Sequence, residues 1–375
     1  MTPFISEYFF YILFILTIPA VVIGLCGRPL KYYGLFVTFA FLPLIYNTRE
    51  SLLFLGIFYL FSLVVTAVYA KIKTKNIFVF WCFFALTLAP LIISKMLPGL
   101  KWFHFLGISY ITFRTIQFIT GVKEGKIEKV KWFDFTYFVL FFPALSSGPI
   151  DRFGRFEKEL GAKCSREEYL ELLREGIWKI FNGLLYSFVL AALINIYMLS
   201  YFDGREGTWA FVGYAYSYTL YLFFNFAGYS SLAIGVSYIF GVKMPENFNM
   251  PFISRDLKEF WSRWHMSLST FFRDYIYNKF VVITLKRKWF KNKHAGSYIG
   301  YLLTMLVMGV WHGLSIHFIV YGIYHGVLMC VNDWLDNNVK GFKKFKAGRL
   351  GGVICALVTF HVVTFGLLIF SGKLF

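Results

Sequence analysis

Stretches of about twenty apolar residues recur along this chain, and no water-soluble core absorbs so many of them. They cover residues 8–25, 51–70, 77–94, 177–200, 209–240, 297–331 and 351–370, with shorter or more mixed stretches at 33–46, 103–120 and 132–150. A helix needs roughly twenty such residues to cross the hydrocarbon of a bilayer. If the two longest runs each fold into two passes, roughly ten to twelve membrane segments result. The chain is 58% hydrophobic and 22% aromatic, which suits surfaces that face lipid or line grooves. It reads as an all-α, polytopic integral membrane protein. The first run follows Met1-Thr2-Pro3 with no Lys, Arg or small-residue cleavage site, so it reads as a retained span.

A net charge of +18, from 38 basic and 20 acidic residues, raises nucleic acid as a partner, but its distribution argues otherwise. The cations sit in short loops beside the spans: Arg28 and Lys31, then Lys71, Lys73 and Lys75, then 123–131, 152–174, 286–293 and 340–349. That is the bias of cytoplasmic loops. The five cysteines are scattered without a CxxC spacing, so neither a disulfide framework nor a zinc site is indicated.

Alternating the spans from an outside N-terminal tail keeps every basic loop inside until 132–150, which has basic loops on both sides. A re-entrant segment resolves the conflict, provided it is buried in protein or lines a cavity, the alternative being a kinked span with one misplaced charged loop. The run Phe142-Pro143-Ala144-Leu145-Ser146-Ser147-Gly148-Pro149 fits, because two prolines and a glycine break a helix.

Beyond a proline-bounded polar loop at 244–251, Ser254-Arg255-Asp256 offers a helix N-cap. One amphipathic helix is expected to follow, with Leu257, Phe260, Trp261, Trp264, Leu268, Phe271 and Tyr275 at spacings of three or four. Its opposite face carries Lys258, Glu259, Arg263, Arg273 and Asp274, too many charges for a span, so it reads as lying at the inner interface or packed under the bundle. After it, Val281 and Val282 lie between Lys279 and Lys286. Such an apolar patch rimmed by cations suits either a small acidic protein or lipid headgroups.

Of seven histidines, two stand out. His312, preceded by Trp311, lies inside the apolar run 297–331, where an imidazole is costly and therefore a functional candidate. His265 follows Trp264 in the amphipathic helix. No metal site is read: on a helix His312 and His317 point about 140° apart, and no carboxylate spacing accompanies them. His104 and His361 read as satisfied core residues and His294 as solvated. GxSxG, Walker and GxGxxG motifs are absent, and no internal repeat of the transporter kind is visible.

The stretch from Met244 to Asp274, with its Trp264-His265 pair, resembles the signature of the membrane-bound O-acyltransferases, and Val310-Trp311-His312-Gly313 resembles that family's second motif. Within the family, Ser146-Ser147-Gly148-Pro149-Ile150-Asp151-Arg152 and the closing stretch from Phe360 to Gly372 are similar to the D-alanyl transfer proteins of Gram-positive bacteria. Alginate-type O-acetyltransferases share the Trp-His motifs, but their Arg-Asp-Tyr element usually continues into a Pro-Leu-Gly-Gly stretch. Here Arg273 to Val282 replaces it.

The resemblance implies one domain over 1–375 around a central tunnel, in a Gram-positive cell membrane: N-terminal spans at 1–131, a re-entrant segment and basic loop at 132–175, a catalytic core at 176–334, and a last loop and span at 335–375. It implies D-alanyl transfer from a thioester on the phosphopantetheine arm of a small cytosolic carrier protein (DltC-like) toward lipoteichoic acid, with no permanently bound cofactor. Other D-alanylation proteins (DltD-like, and a small membrane helper) would be partners. His312 would be the catalytic histidine and His265 the second motif histidine. Ser147, Pro149, Asp151, Arg152, Asn249, Trp264, Arg273, Asp274 and Trp311 would belong to the motifs and the tunnel wall. Lys279, Val281, Val282 and Lys286 would dock the carrier. The alternatives are a polysaccharide or peptidoglycan O-acetyltransferase of the alginate type and, outside enzymes, a transporter.

Overall fold

A computed structural model describes residues 3–72, 74, 76–97, 99, 105–146, 148–162, 164–292 and 294–375. Among them every regular element is a helix. In chain order these are α1 (Glu7–Leu25), α2 (Lys31–Ile45), α3 (Arg49–Ile72), α4 (Ile77–Met96), α5 (Ile108–Lys123), α6 (Trp132–Leu140) and α7 (Phe153–Gly161). Next come the long α8 (Arg166–Asp203) and α9 (Thr208–Ile239). The remainder are α10 (Leu257–Arg263), α11 (Met266–Phe272), α12 (Asn278–Lys286), α13 (Ala295–His312), α14 (Ile316–Asn338), α15 (Phe342–Ala347) and α16 (Arg349–Ser371).

Among the described residues, seven helices are long and apolar enough to cross a membrane: α1, α3, α4, α8, α9, α14 and α16. The protein is therefore a multi-pass membrane protein. With the shorter or more polar α2, α5 and α13 the long helices number ten (seven plus three). The two longest apolar runs behave differently. Residues 297–331 do form two helices, α13 and α14, turned at Gly313. Residues 209–240 do not, because α9 runs unbroken for 32 residues. Asn225 turns no chain: its carbonyl accepts from the Ser187 hydroxyl of α8 at 3.3 Å.

The chain forms two compact units, Met1–Leu184 with Gly228–Pro245, and Leu185–Ala227 with Glu246–Phe375. In the first, α8 and α9 approach through glycines. A Cβ on Gly235 would lie 2.6 Å from the Gly176 carbonyl, and one on Gly183 would lie 2.9 Å from the Gly228 carbonyl. Small residues of this kind are what let helix backbones touch in a membrane protein.

The 132–150 segment also belongs to the first unit. Its helix α6 has nine residues, about 13 Å of rise, less than half the roughly 30 Å of a bilayer core. A single 3-10 turn at Phe142–Ala144 follows, and the chain doubles back into α7. The break leaves carbonyls facing the protein interior, and Arg114 of α5 satisfies them. Its guanidinium is 1% exposed and donates to the Phe138 and Val139 carbonyls at 2.9 Å and to the Ala144 carbonyl at 2.6 Å. Apolar contact completes the cradle, with Phe142 stacked on Phe41 at 4.5 Å. One buried cation thus lets a proline-broken segment persist away from water.

The second unit corrects the expected amphipathic helix. Its apolar face is buried as the spacing implies, from Leu257 through Phe260, Trp261, Trp264 and Leu268 to Phe271. The helix itself stops at Arg263 and restarts at Met266, and a π-helical turn at Arg273–Tyr277 precedes α12. Asp256 caps α10, accepting from the Glu259 amide at 2.8 Å. It also accepts from Lys346, which reaches Asp336 as well, each at 2.7 Å. Burial by itself would raise the Asp256 carboxyl, but the Lys346 ammonium and the Glu259 amide outweigh it and hold it below the ordinary aspartate range. This ion triad pins the basic α15 loop to the start of α10.

Replacing Arg114 with Met strands three buried carbonyls, so a loss of at least about 3 kcal/mol is expected. Thermal unfolding in detergent should fall by several degrees. A melting temperature equal to the parent's would show that the carbonyls find other partners.

Candidate active site

His312 is the last residue of α13, and the chain turns at Gly313 before Ser315 opens α14. The turn is tight because the two helices cross on glycines. A Cβ on Gly309 would lie 2.3 Å from the Phe318 carbonyl, and one on Gly322 would lie 2.6 Å from the Met305 carbonyl. Larger residues there would force the hairpin open and displace the imidazole. As built, the His312 ring stands 4.6 Å from Trp311, 4.8 Å from Phe370 of α16, 5.9 Å from Phe318 and 6.3 Å from Tyr321, centroid to centroid. Tyr321 is buried, whereas His312, Trp311, Phe318 and Phe370 are only half-buried. The imidazole is therefore neither sealed in the core nor fully in the open.

His265 occupies the break between α10 and α11, with φ 42° and ψ 53°, a left-handed conformation rare for a residue other than glycine. The loop before α10 holds it there. The Met266 amide donates to the Asn247 carbonyl at 2.9 Å, and the Asn249 amide donates to the Arg263 carbonyl at 2.9 Å. The Asn247 side-chain oxygen accepts from the Ser267 hydroxyl at 2.6 Å. These bonds replace the helical ones lost at the break, and strain kept by its surroundings is typical of working sites. His265 is 5% exposed, packs edge-on to Phe226 at 4.7 Å, and its Nε2 has no hydrogen-bond partner. It lies within electrostatic reach of His312. A buried ring nitrogen without a partner is a place where a substrate atom can bond.

The other sequence-derived residues divide by role. Asn249 is part of the loop clamp just described, and Trp264 stacks on Phe260 at 5.5 Å beneath the break. Arg273 and Asp274 form the π-helical turn, with the Arg273 Nε donating to the Asp274 carboxylate at 3.3 Å. Arg273 also lines a cavity of about 260 Å³ with Lys258, Trp261, Tyr301, Thr304 and Met308. The Trp261 indole N–H, buried at this cavity, has no acceptor.

On α12, Val282 is 47% exposed and Lys286 is exposed beside it, while Val281 faces Gly300 and Lys279 leans over Tyr275. Only Val282 and Lys286 of that patch are fully presented, extended by Ile283, Leu285 and Trp289. Pro149, Asp151 and Arg152 belong to the first unit. There Asp151 is 2% exposed and accepts from the Arg152 amide at 2.6 Å and from Arg155 Nε at 2.7 Å, while Arg155 also bonds the Lys243 carbonyl. Their observed task is to fix the start of α7. Ser147 lies outside the described residues.

Sequence reasoning passed over Asn247 and Ser267, the pair that holds the His265 break, because a polar loop gives no sign of its long-range partner. It also passed over Phe318, Tyr321 and Phe370 as site residues. Only Phe370 carried a signal, by lying in the closing stretch 360–372. His325 is fully buried among Trp261, Tyr321 and Tyr324 with both ring nitrogens unpartnered.

A histidine at a helix end and another at a helix break in a polytopic bundle agree with what comparison with known proteins finds. The profile of the membrane-bound O-acyltransferase family matches residues 51–372. The chain is 41% identical over 391 residues to the teichoic acid D-alanyltransferase of Bacillus subtilis (strain 168), covering 100% of this chain and 99% of that one. It is 34% identical over 397 residues to the protein of the same name from Streptococcus thermophilus, covering 100% and 96%. A probable alginate O-acetylase of Pseudomonas aeruginosa is 33% identical over 272 residues, 72% of this chain and 49% of that one. The chain belongs to the membrane-bound O-acyltransferase family, and its enzymatic class is acyltransferase.

Proposed function

We propose that the protein transfers D-alanine from a carrier-protein thioester toward lipoteichoic acid, with His312 as the general base. The observation that carries this reading is the half-buried His312 at a helix end, within electrostatic reach of a His265 whose ring nitrogen is buried and unpartnered. Full-length likeness to two teichoic acid D-alanyltransferases supports D-alanine as the group moved. The alginate O-acetylases match over less of the chain and about half of their own length.

A hydroxyl attacks a thioester slowly unless its proton is removed as the new bond forms. A neutral imidazole takes that proton while the hydroxyl oxygen adds to the carbonyl carbon. Collapse of the tetrahedral centre then breaks the carbon–sulfur bond, and the proton passes to the departing thiolate. The products are an oxygen ester and a free thiol. General-base assistance of this kind is worth about 10²- to 10⁴-fold. His265 orients the donor by hydrogen-bonding through its unpartnered nitrogen. A phosphopantetheine arm carries amide carbonyls that suit the unpartnered Trp261 donor, and a phosphate that suits Arg273 and Lys258, all at the 260 Å³ cavity. The donor needs no nucleotide here, because thioester to oxygen ester is close to downhill. The carrier docks through the exposed Val282 with Lys286, opposite charge speeding encounter and apolar contact holding it.

Replacing His312 with Ala should stop labelled D-alanine from reaching lipoteichoic acid while the amount of protein in the membrane stays the same. Continued labelling at the parent rate would remove His312 from catalysis. Loss of acetate esters from a glycan, with D-alanine unchanged, would point to an O-acetyltransferase instead. Val282→Asp should abolish pull-down of the carrier protein from detergent extracts without lowering protein level, and undiminished capture would exclude this surface.

A further inference from the structure

We propose that the aromatic rings around His312 form a cage for the ammonium group of the D-alanyl donor, and so select it over neutral acyl groups. The inference rests on the D-alanyl transfer reading above and extends it to substrate choice. A D-alanyl thioester differs from an acetyl one in a cationic amine, one carbon removed from the carbonyl. Any pose that brings the carbonyl to His312 therefore brings the ammonium among the same rings.

Four rings pack around the His312 imidazole. Phe318 and Phe370 stand 5.0 Å apart, inclined at 59°, and Tyr321 and Phe370 stand 5.1 Å apart, inclined at 64°. Trp311 lies on another side of the imidazole at 4.6 Å. Rings so inclined pack edge to face, and three of the four are only half-buried. A cation within about 6 Å of several ring faces is attracted by each, most strongly where water is scarce.

The usual alternative for holding an ammonium is a carboxylate, and six of the eight acids of this unit are paired with cations. Asp203 pairs with Lys373, Asp256 and Asp336 with Lys346, Glu259 with Arg263, Asp274 with Arg273, and Asp333 with Lys258. Aromatic faces also leave His312 free to stay neutral, whereas a carboxylate beside it would favour its protonated form. A neutral acetyl group would gain nothing from the rings beyond contact area.

The test uses native membrane vesicles and carrier protein loaded chemically with either D-alanine or D-lactate, in which a hydroxyl replaces the ammonium. The parent should use the D-alanyl carrier with a kcat/KM at least about tenfold higher. Phe370→Leu should lower D-alanyl transfer by about tenfold more than D-lactyl transfer, and Phe370→Tyr, which keeps an aromatic face, should preserve the preference. Equal losses for both donors in Phe370→Leu, or a parent with no preference, would overturn the cage while leaving acyl transfer intact. A parent that transfers neither group would overturn both the cage and the reading beneath it.

Discussion

Away from water, every polar group must find its partner inside the protein, and that constraint shapes each departure from plain spanning helices. Where α6 breaks, Arg114 takes three stranded carbonyls. Where the α10–α11 helix breaks, Asn247, Asn249 and Ser267 replace the missing helical bonds. Each break carries its own internal solvent. His265 Nε2 and the Trp261 indole are among the buried polar atoms left without a partner.

The second constraint is close approach. The α13–α14 crossing on Gly309 and Gly322 helps set the position of His312. A base must sit where the acceptor's proton appears, and small displacements cost large factors in rate. Backbone contact between two helices is a stiff way to hold it. His265 is held differently, by a left-handed backbone and a side-chain clamp. Two imidazoles fixed by independent devices can thus be kept in register with one another.

Much of this was legible in the sequence wherever one physical effect dominated. Apolar runs of span length announced the class, a division of 297–331 into two helices agreed with its excess length, and the prolines of 142–149 announced a break that α6 bears out in its nine residues. Legibility failed where two segments had to cooperate. Nothing around 225–228 says that α9 continues, because the reason is its packing on α8. The amphipathic spacing from Leu257 to Phe271 predicted burial correctly and helix continuity wrongly. The side-chain pattern is local, but the bonds that favour a break at His265 come from Asn247 and Asn249. Asp151 and Arg152 read as tunnel residues through likeness alone, and their visible work is to anchor α7.

The central claim is that the His312 imidazole accepts a proton from the attacking hydroxyl. It is tested most directly by the single-turnover rate at which preloaded carrier thioester is consumed by a His312→Gln protein, since glutamine retains polarity and approximate size but cannot act as a base. The account predicts a fall of at least about 100-fold with carrier binding retained. A rate within a few-fold of the parent's would contradict it.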